Sequence, residues 1–141
     1  MRLPATAFGE VDLKRLLVIL LLSIPAFAEQ PKCKGNPKVI AACYSVHGRV
    51  SQGADTVRLW LWPVGTKRLL GVTAGPTLDD ADEPITPSNL RFKDRGEDIY
   101  GDFEVCPFTP ERKGALQFVC IESASKLGVK RQSSLNGPGS K

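Results

Sequence analysis

The stretch YSVHGRVSQGADTVRLWLW, residues 44–62, decides the fold class. Its first part, residues 44–50, alternates apolar and polar side chains with the two-residue period of a strand that has one buried face. The segment 52–55 (QGAD) predicts a turn. Residues 56–62 (TVRLWLW) are apolar at nearly every position, as in a strand that is covered on both sides. Two neighbouring strands are therefore predicted here.

The same short apolar segments recur along the rest of the chain, and no stretch keeps a helical period for more than about two turns. Further strands are predicted at 67–73, 89–93, 99–105, 116–121 and 126–131. Residues 75–88 hold three prolines and four acids, which argue against a regular strand and predict a long surface loop. Six or seven short strands predict an all-β domain, a small antiparallel sandwich of immunoglobulin-like type, with a small closed barrel as the alternative.

The start of the chain is typical of a secretory signal peptide. The apolar run 16–24 follows Lys14 and Arg15, and the sequence PAFA at 25–28 fits the small-residue pattern that signal peptidase cleaves. The run is too short for a membrane anchor, because spanning the bilayer takes about 20 apolar residues. We therefore predict cleavage after Ala28, a secreted or periplasmic location and no stable membrane span in the mature chain.

Composition divides the chain into four segments. We predict a signal peptide at 1–28, a flexible N-terminal arm at 29–38, a single β domain at 39–131 and a disordered Ser/Gly/Pro tail at 132–141. The formal net charge is only +4, and the basic residues are spread among acids. This distribution argues against a nucleic-acid partner, which would call for basic residues on one face or helix.

All four cysteines, Cys33, Cys43, Cys106 and Cys120, lie beyond the predicted cleavage site, where an oxidising compartment lets them form disulfides. Four cysteines allow three connectivities. We favour Cys106 with Cys120, which would face each other across a hairpin, and consequently Cys33 with Cys43. No C-x-x-C pair occurs, so we predict no metal site and no cofactor.

The hairpin between the last two cysteines also predicts a register. If Cys106 faces Cys120, then Val105 lies opposite Ile121. The same register brings Glu104 opposite Glu122, a like-charge pair that costs a few tenths of a kcal/mol or more. This cost leaves the other cysteine pairings open.

Arg58, Trp60 and Trp62 share one face of a predicted strand and form a candidate ligand surface. On an open sheet two indoles in a row can stack on sugars or hold a protein partner. The alternative is that another layer covers both rings, since the opposite row of the strand certainly faces the core.

Four acids, Asp79, Asp80, Asp82 and Glu83, form a candidate cation loop, because calcium prefers several hard oxygen ligands. The loop lacks the D-x-[DN]-x-[DN]-G pattern and contains a proline. A solvated acidic loop is the alternative.

His47 is the single histidine and the candidate for catalysis. It lies on the polar row of its strand, and no G-x-S-x-G motif provides a nucleophile. Asp102 and Glu104 share a strand face, but carboxylates spaced by two on an exposed strand are typical of a solubilising row. We predict no catalytic residues, and a solvated surface histidine.

Four segments of the mature domain resemble those of a family of uncharacterised exported bacterial proteins: VHGRV at 46–50, GTKRLLG at 65–71, GDFEVCP at 101–107 and FVCIES at 118–123. This family offers no activity to carry over. The layout of a GRV strand, a VRLWL strand and a GDFEV strand is also similar to transthyretin-like and carboxypeptidase-regulatory-like modules. The second resemblance implies a transthyretin-like sandwich, whose members mostly bind or scaffold.

Together these observations predict a non-enzymatic exported domain that binds an envelope or extracellular protein or glycan. A carbohydrate-binding module using Trp60 and Trp62 is one alternative. A small hydrolase using His47 is the other.

Overall fold

The computed structural model describes residues 32–54, 56–78 and 83–132, all within one compact unit that spans residues 31–141. These residues form five strands and no helix. The strands are β1 (Tyr44–Gln52), β2 (Leu59–Pro63), β3 (Leu70–Val72), β4 (Glu97–Pro107) and β5 (Gln117–Arg131). The described residues contain no helix that could cross a membrane. The predicted signal peptide and all but the first residue of the predicted tail lie outside the described ranges.

The five strands close into a barrel in the order β1-β2-β3-β5-β4. Antiparallel pairs connect β1 to β2 and β4, β2 to β3, and β4 to β5, whereas β3 and β5 run parallel. The all-β prediction is confirmed. The expected sandwich of six or seven antiparallel strands is not, and the barrel alternative agrees with the strand order. The described strands therefore form a small five-stranded barrel of mixed strand direction.

The number of strands differs from the prediction in two places, and the predicted strands at 56–62 and 67–73 are Leu59–Pro63 and Leu70–Val72 in the structure. Segments 116–121 and 126–131 are parts of the single long strand β5. Segment 89–93 is not a strand, because Leu90 donates its backbone N–H to the Pro87 carbonyl in a turn, at 3.1 Å, while its side chain is buried. Its apolar residues contact the core from a loop, and five strands suffice to close the barrel wall.

Alternation along each strand fills the barrel with apolar side chains. The core residues that are less than 2% exposed are Val50, Leu61, Leu70, Val72, Ile99, Phe103, Val105, Val119 and Ile121. Each such side chain contributes roughly 1.5–3 kcal/mol on burial. The alternate positions point outward, so Trp60 and Trp62 lie on the face of β2 opposite the buried Leu61, which the sequence placed in the core.

The register between β4 and β5 is as predicted at one end and shifted at the other. Val105 lies opposite Ile121 and Cys106 lies opposite Cys120. A register shift between Glu104 and Val105 then places Glu104 opposite Ser123 instead of Glu122. The expected like-charge pair is therefore absent, because the irregularity turns the two carboxylates to different neighbours.

The predicted cysteine pairing is wrong. Cys33 is bonded to Cys120 and Cys43 to Cys106, so each cysteine of the N-terminal segment (residues 32–43) pairs with one cysteine of the barrel wall. The reason is the course of this segment, which runs alongside the wall where β4 and β5 meet. Its Ile40 N–H, for example, is 3.0 Å from the Pro107 carbonyl that accepts it.

Glu122 also holds the N-terminal segment. Its carboxylate accepts the backbone N–H groups of Cys33 and Lys34, at 3.0 and 2.9 Å. The Lys34 ammonium lies 2.6 Å from Glu104, whose hydrogen bond and charge raise the pKa of Lys34. Glu104 and Glu122, which the sequence predicted to lie opposite each other, thus both bind the N-terminal segment.

Candidate functional site

The predicted aromatic surface is largely engaged within the molecule. Trp60 and Trp62 are half-buried on the outer face of β2. The Arg49 guanidinium lies over the Trp62 ring, 5.0 Å from its centroid, and the Trp62 indole N–H donates to the Thr66 carbonyl at 2.8 Å. Arg58 lies before β2 and pairs with Glu83. The three predicted residues therefore do not form one open platform.

Cations and aromatic rings alternate across the outer face. Arg49 lies opposite both Trp62 and Tyr100 in the ladder, and the Lys130 ammonium lies 5.0 Å from the Tyr100 centroid. The buried carboxylate of Asp98 lies 3.7 Å from the Arg49 guanidinium. The cations of this face thus already have partners.

His47 is exposed, as predicted, with 63% of its side chain accessible. Its Nδ1 lies 2.8 Å from Asp102 Oδ1, and the Lys126 ammonium lies 3.4 Å from Asp102 Oδ2. The hydrogen bond from His47, followed by the interactions with Lys126, lowers the pKa of Asp102. Among the described residues Asp102 is the polar partner of the imidazole, and no serine hydroxyl or thiol contacts it.

Of the predicted cation loop, Asp79, Asp80 and Asp82 lie outside the described residues. Glu83 is exposed and lines an open groove of about 610 Å³ together with its partner Arg58. The candidate cation loop therefore stays a hypothesis beside the alternative of a solvated acidic loop.

The sulfurs of Cys33, Cys106 and Cys120 lie within 4.8 Å of one another in the core. Metal ions bind thiolates, and all four cysteines are in disulfides. This cluster therefore offers no thiolate ligand while the disulfides are intact.

A second groove, of about 590 Å³, lies between the β2–β3 and β4–β5 connections. We call it the basic groove. It is lined by Lys67, Arg68, Leu69, Leu70, Glu111, Arg112, Lys113, Gly114, Ala115, Leu116 and Gln117. Four of these residues are basic and one is acidic, so the groove has a formal charge of +3.

Arg68 is held in place from two sides. Its guanidinium donates to Gln117 Oε1 at 2.6 Å and lies 3.2 Å from the Glu111 carboxylate. Gln117 is buried, accepts a hydrogen bond from the Tyr44 hydroxyl at 3.1 Å, and donates to the Thr109 carbonyl at 3.0 Å. Burial raises the pKa of Tyr44, so its hydroxyl keeps the proton that this hydrogen bond needs.

The other three cations of the basic groove have no side-chain partner among the described residues. Within the described parts of the chain, Lys67, Arg112 and Lys113 make no ion pair or side-chain hydrogen bond. Leu69, which is 44% exposed, adds an apolar surface between them. The groove is therefore an open concave site with uncompensated positive charge and an apolar wall.

The sequence patterns did not predict this groove. Its cations come from two dibasic pairs, Lys67-Arg68 and Arg112-Lys113, which are more than 40 residues apart. The parallel contact of Leu70 with Gln117 brings them together, and local patterns do not predict such a contact. The available signal was the repetition of a dibasic pair beside a turn.

Comparisons with protein-family models, with curated proteins and with solved structures found no match to this chain.

Proposed function

We propose that this protein is a non-enzymatic exported binding domain that holds an acidic segment of another exported protein in the basic groove. The observation that carries the proposal is one concave site with three cations, Lys67, Arg112 and Lys113, for which the described part of the chain provides no partner. The two disulfides indicate an oxidising, extracytoplasmic compartment. The signal peptide at 1–28 is part of the proposal.

Charge supports an anionic ligand. The groove has four basic side chains against one acid, and the Arg68 guanidinium is already oriented by Gln117. A guanidinium presents a rigid fork of donors that matches carboxylate geometry, whereas Lys67 and Lys113 attract acids as point charges. A ligand with several carboxylates fits this donor set.

Shape and apolar surface favour a polypeptide over the other anionic partners. A bilayer is flat and does not enter a concave groove. A glycan is typically gripped by aromatic rings, but the groove presents Leu69, Ala115 and Leu116 instead. Aliphatic side chains of a peptide can pack on these residues while its acids meet the cations.

The test is fluorescence anisotropy with a labelled eight-residue peptide, ELEGELEG, and its uncharged counterpart QLQGQLQG. We expect the acidic peptide to bind the full mature protein at least tenfold more tightly, which corresponds to about 1.4 kcal/mol. The affinity should fall as salt rises, because the cations are exposed.

Two double variants identify the site. Lys67→Gln with Lys113→Gln should weaken binding of the acidic peptide at least tenfold. Lys93→Gln with Arg95→Gln removes the same charge outside the basic groove and should leave binding nearly unchanged. Equal losses in both variants, or tighter binding to phosphatidylglycerol vesicles or to polygalacturonate than to the peptide, would contradict the proposal.

A glycan on the aromatic surface is a second candidate, favoured by one observation. Trp60 lies opposite Gly71 in the ladder, and the Phe118 ring lies over that glycine, 2.9 Å from where its Cβ would be, so two aromatic side chains are grouped at this part of the barrel wall. A polysaccharide pull-down with the wild type and Trp60→Ala tests it, and equal retention of both proteins would reject it. The barrel fold does not distinguish an acidic peptide from a glycan as the ligand, because proteins that share one fold bind many different ligands.

A further inference from the structure

The two disulfides lie close together in the structure, because the Cys106 sulfur of one lies near both sulfurs of the other. Cys106 and Cys120 belong to different disulfides, yet they lie directly opposite each other in the β4–β5 ladder. The sulfurs of Cys33, Cys106 and Cys120 are all within 4.8 Å of one another. Opposite residues of an antiparallel ladder have Cα atoms roughly 4.5–5.5 Å apart, which lies within the range of a disulfide.

The four cysteine residues differ in their exposure to solvent. Cys33, Cys106 and Cys120 are 0% exposed, whereas Cys43 is only partly buried. Cys43 is therefore the cysteine that a thiol arriving from solvent can approach, and attack on its sulfur would release the Cys106 thiolate. Disulfide exchange proceeds by this kind of attack through a mixed disulfide.

We propose that the four cysteines form a thiol–disulfide exchange site, in which a low-molecular-weight thiol converts the observed pairing into one with a Cys106–Cys120 disulfide. In the first step the external thiolate bonds to Cys43 Sγ, the Cys43–Cys106 bond breaks, and Cys106 takes the electron pair as a thiolate. In the second step Cys106 Sγ bonds to Cys120 Sγ, the Cys33–Cys120 bond breaks, and Cys33 leaves as a thiolate.

A third step closes the cycle. The Cys33 thiolate attacks Cys43 in the mixed disulfide, forms Cys33–Cys43 and releases the external thiol, so no net oxidation or reduction occurs. The product has the N-terminal segment linked to itself and no longer to the barrel wall. Glu122, which accepts the N–H groups of Cys33 and Lys34, then remains to hold that segment.

The experiment treats the folded mature protein with glutathione, quenches with acid, alkylates the free thiols and maps the digest without reduction. We expect peptides joined through Cys106 and Cys120, with Cys33 alkylated or joined to Cys43. Simple reduction, in which Cys106 is alkylated and Cys33–Cys120 stays intact, would overturn the proposal. A mixture of all three cysteine pairings, as expected when the same treatment is applied to the protein unfolded in urea, would also overturn the proposal.

Two variants distinguish the second step, attack of Cys106 on Cys120, from the first step, attack of the external thiol on Cys43. Cys43→Ser leaves Cys106 free from the start, and we expect at least half of the folded molecules to hold Cys106–Cys120 with Cys33 alkylated. Cys106→Ser removes the attacking sulfur and should keep Cys33–Cys120 intact under the same glutathione treatment. Loss of that disulfide in Cys106→Ser at the wild-type rate would show that Cys106 is not the attacking group.

Discussion

Gly48 of β1 lies directly opposite Gly101 of β4 in the barrel wall. A Cβ atom at Gly48 would lie 2.8 Å from Leu61 Cδ1 and 2.9 Å from the Trp62 carbonyl oxygen. One at Gly101 would lie 2.8 Å from the Ser125 carbonyl oxygen. Because backbone atoms are among these neighbours, the barrel wall leaves no room for a side chain at Gly48 or at Gly101.

Gly48→Ala should therefore lower the free energy of unfolding by about 1–3 kcal/mol, the usual cost of overpacking a filled core. Urea unfolding measures the loss. Gly128→Ala is the matched control in β5, where a Cβ would meet nothing within 4 Å, and it should change stability by less than about 0.5 kcal/mol. Equal effects of the two substitutions would show that the close approach at Gly48 costs nothing.

Glu97 should make stability depend on pH in the acid range. Its carboxylate accepts the backbone N–H groups of Lys93 and Asp94, at 2.9 and 3.3 Å, and these bonds lower the pKa of Glu97. A lowered folded-state pKa stabilises the protein above the unfolded value, about 4.3, and this contribution is lost as pH falls through the folded pKa.

Glu97→Gln should therefore be less stable than the wild type at pH 7, and the difference should shrink as the pH falls below about 4. Urea midpoints at pH 7, 4 and 3 measure it. Glu83→Gln, at a side chain that is 81% exposed, should have a smaller effect at pH 7. A difference between Glu97→Gln and wild type that stays constant with pH would rule out the carboxylate charge as the cause.

Glu122 should control the order of the N-terminal segment. Its substitution by Gln removes the charge from the two hydrogen bonds to Cys33 and Lys34, and a bond to a charged group contributes roughly 1.5–3 kcal/mol. We expect amide hydrogen exchange at Cys33 and Lys34 to become at least about tenfold faster, with little change at core amides such as that of Phe103. Ser123→Ala is the neighbouring control, and unchanged exchange at Cys33 and Lys34 in Glu122→Gln would contradict the role of Glu122.

The Arg49 side chain should shield Trp62. Its guanidinium lies 5.0 Å from the ring centroid, and a cation–π contact at such a site is worth about 0.5–1 kcal/mol. In a Trp60→Phe background, which isolates the fluorescence of Trp62, Arg49→Gln should increase acrylamide quenching and lower stability by about 1 kcal/mol. Lys130→Gln, which removes the cation beside Tyr100, should leave the quenching of Trp62 unchanged.

Local alternation predicted which side chains face the core. It placed Leu61 on the core face and the tryptophans on the opposite face of the strand, while the supposed Cys106–Cys120 hairpin predicted that Val105 lies opposite Ile121. These features depend on the pleat of single strands and on one hairpin, so neighbouring residues determine them.

The features that sequence analysis missed depend on distant parts of the chain. The parallel contact of Leu70 with Gln117 closes the barrel and forms the basic groove. The irregularity beside Glu104 and the course of the N-terminal segment decide where the two glutamates and the four cysteines find partners. Alternation carries no information about such contacts, because any edge strand with the same pattern could have made them.

One disulfide loop lies inside the other along the chain, since Cys43 and Cys106 fall between Cys33 and Cys120. A protease that cuts once in the acidic stretch at 79–82 therefore separates no fragments, because both halves stay covalently joined at two points. The two halves stay together until a reductant is added, so an intact band on a non-reducing gel is no measure of an uncut backbone.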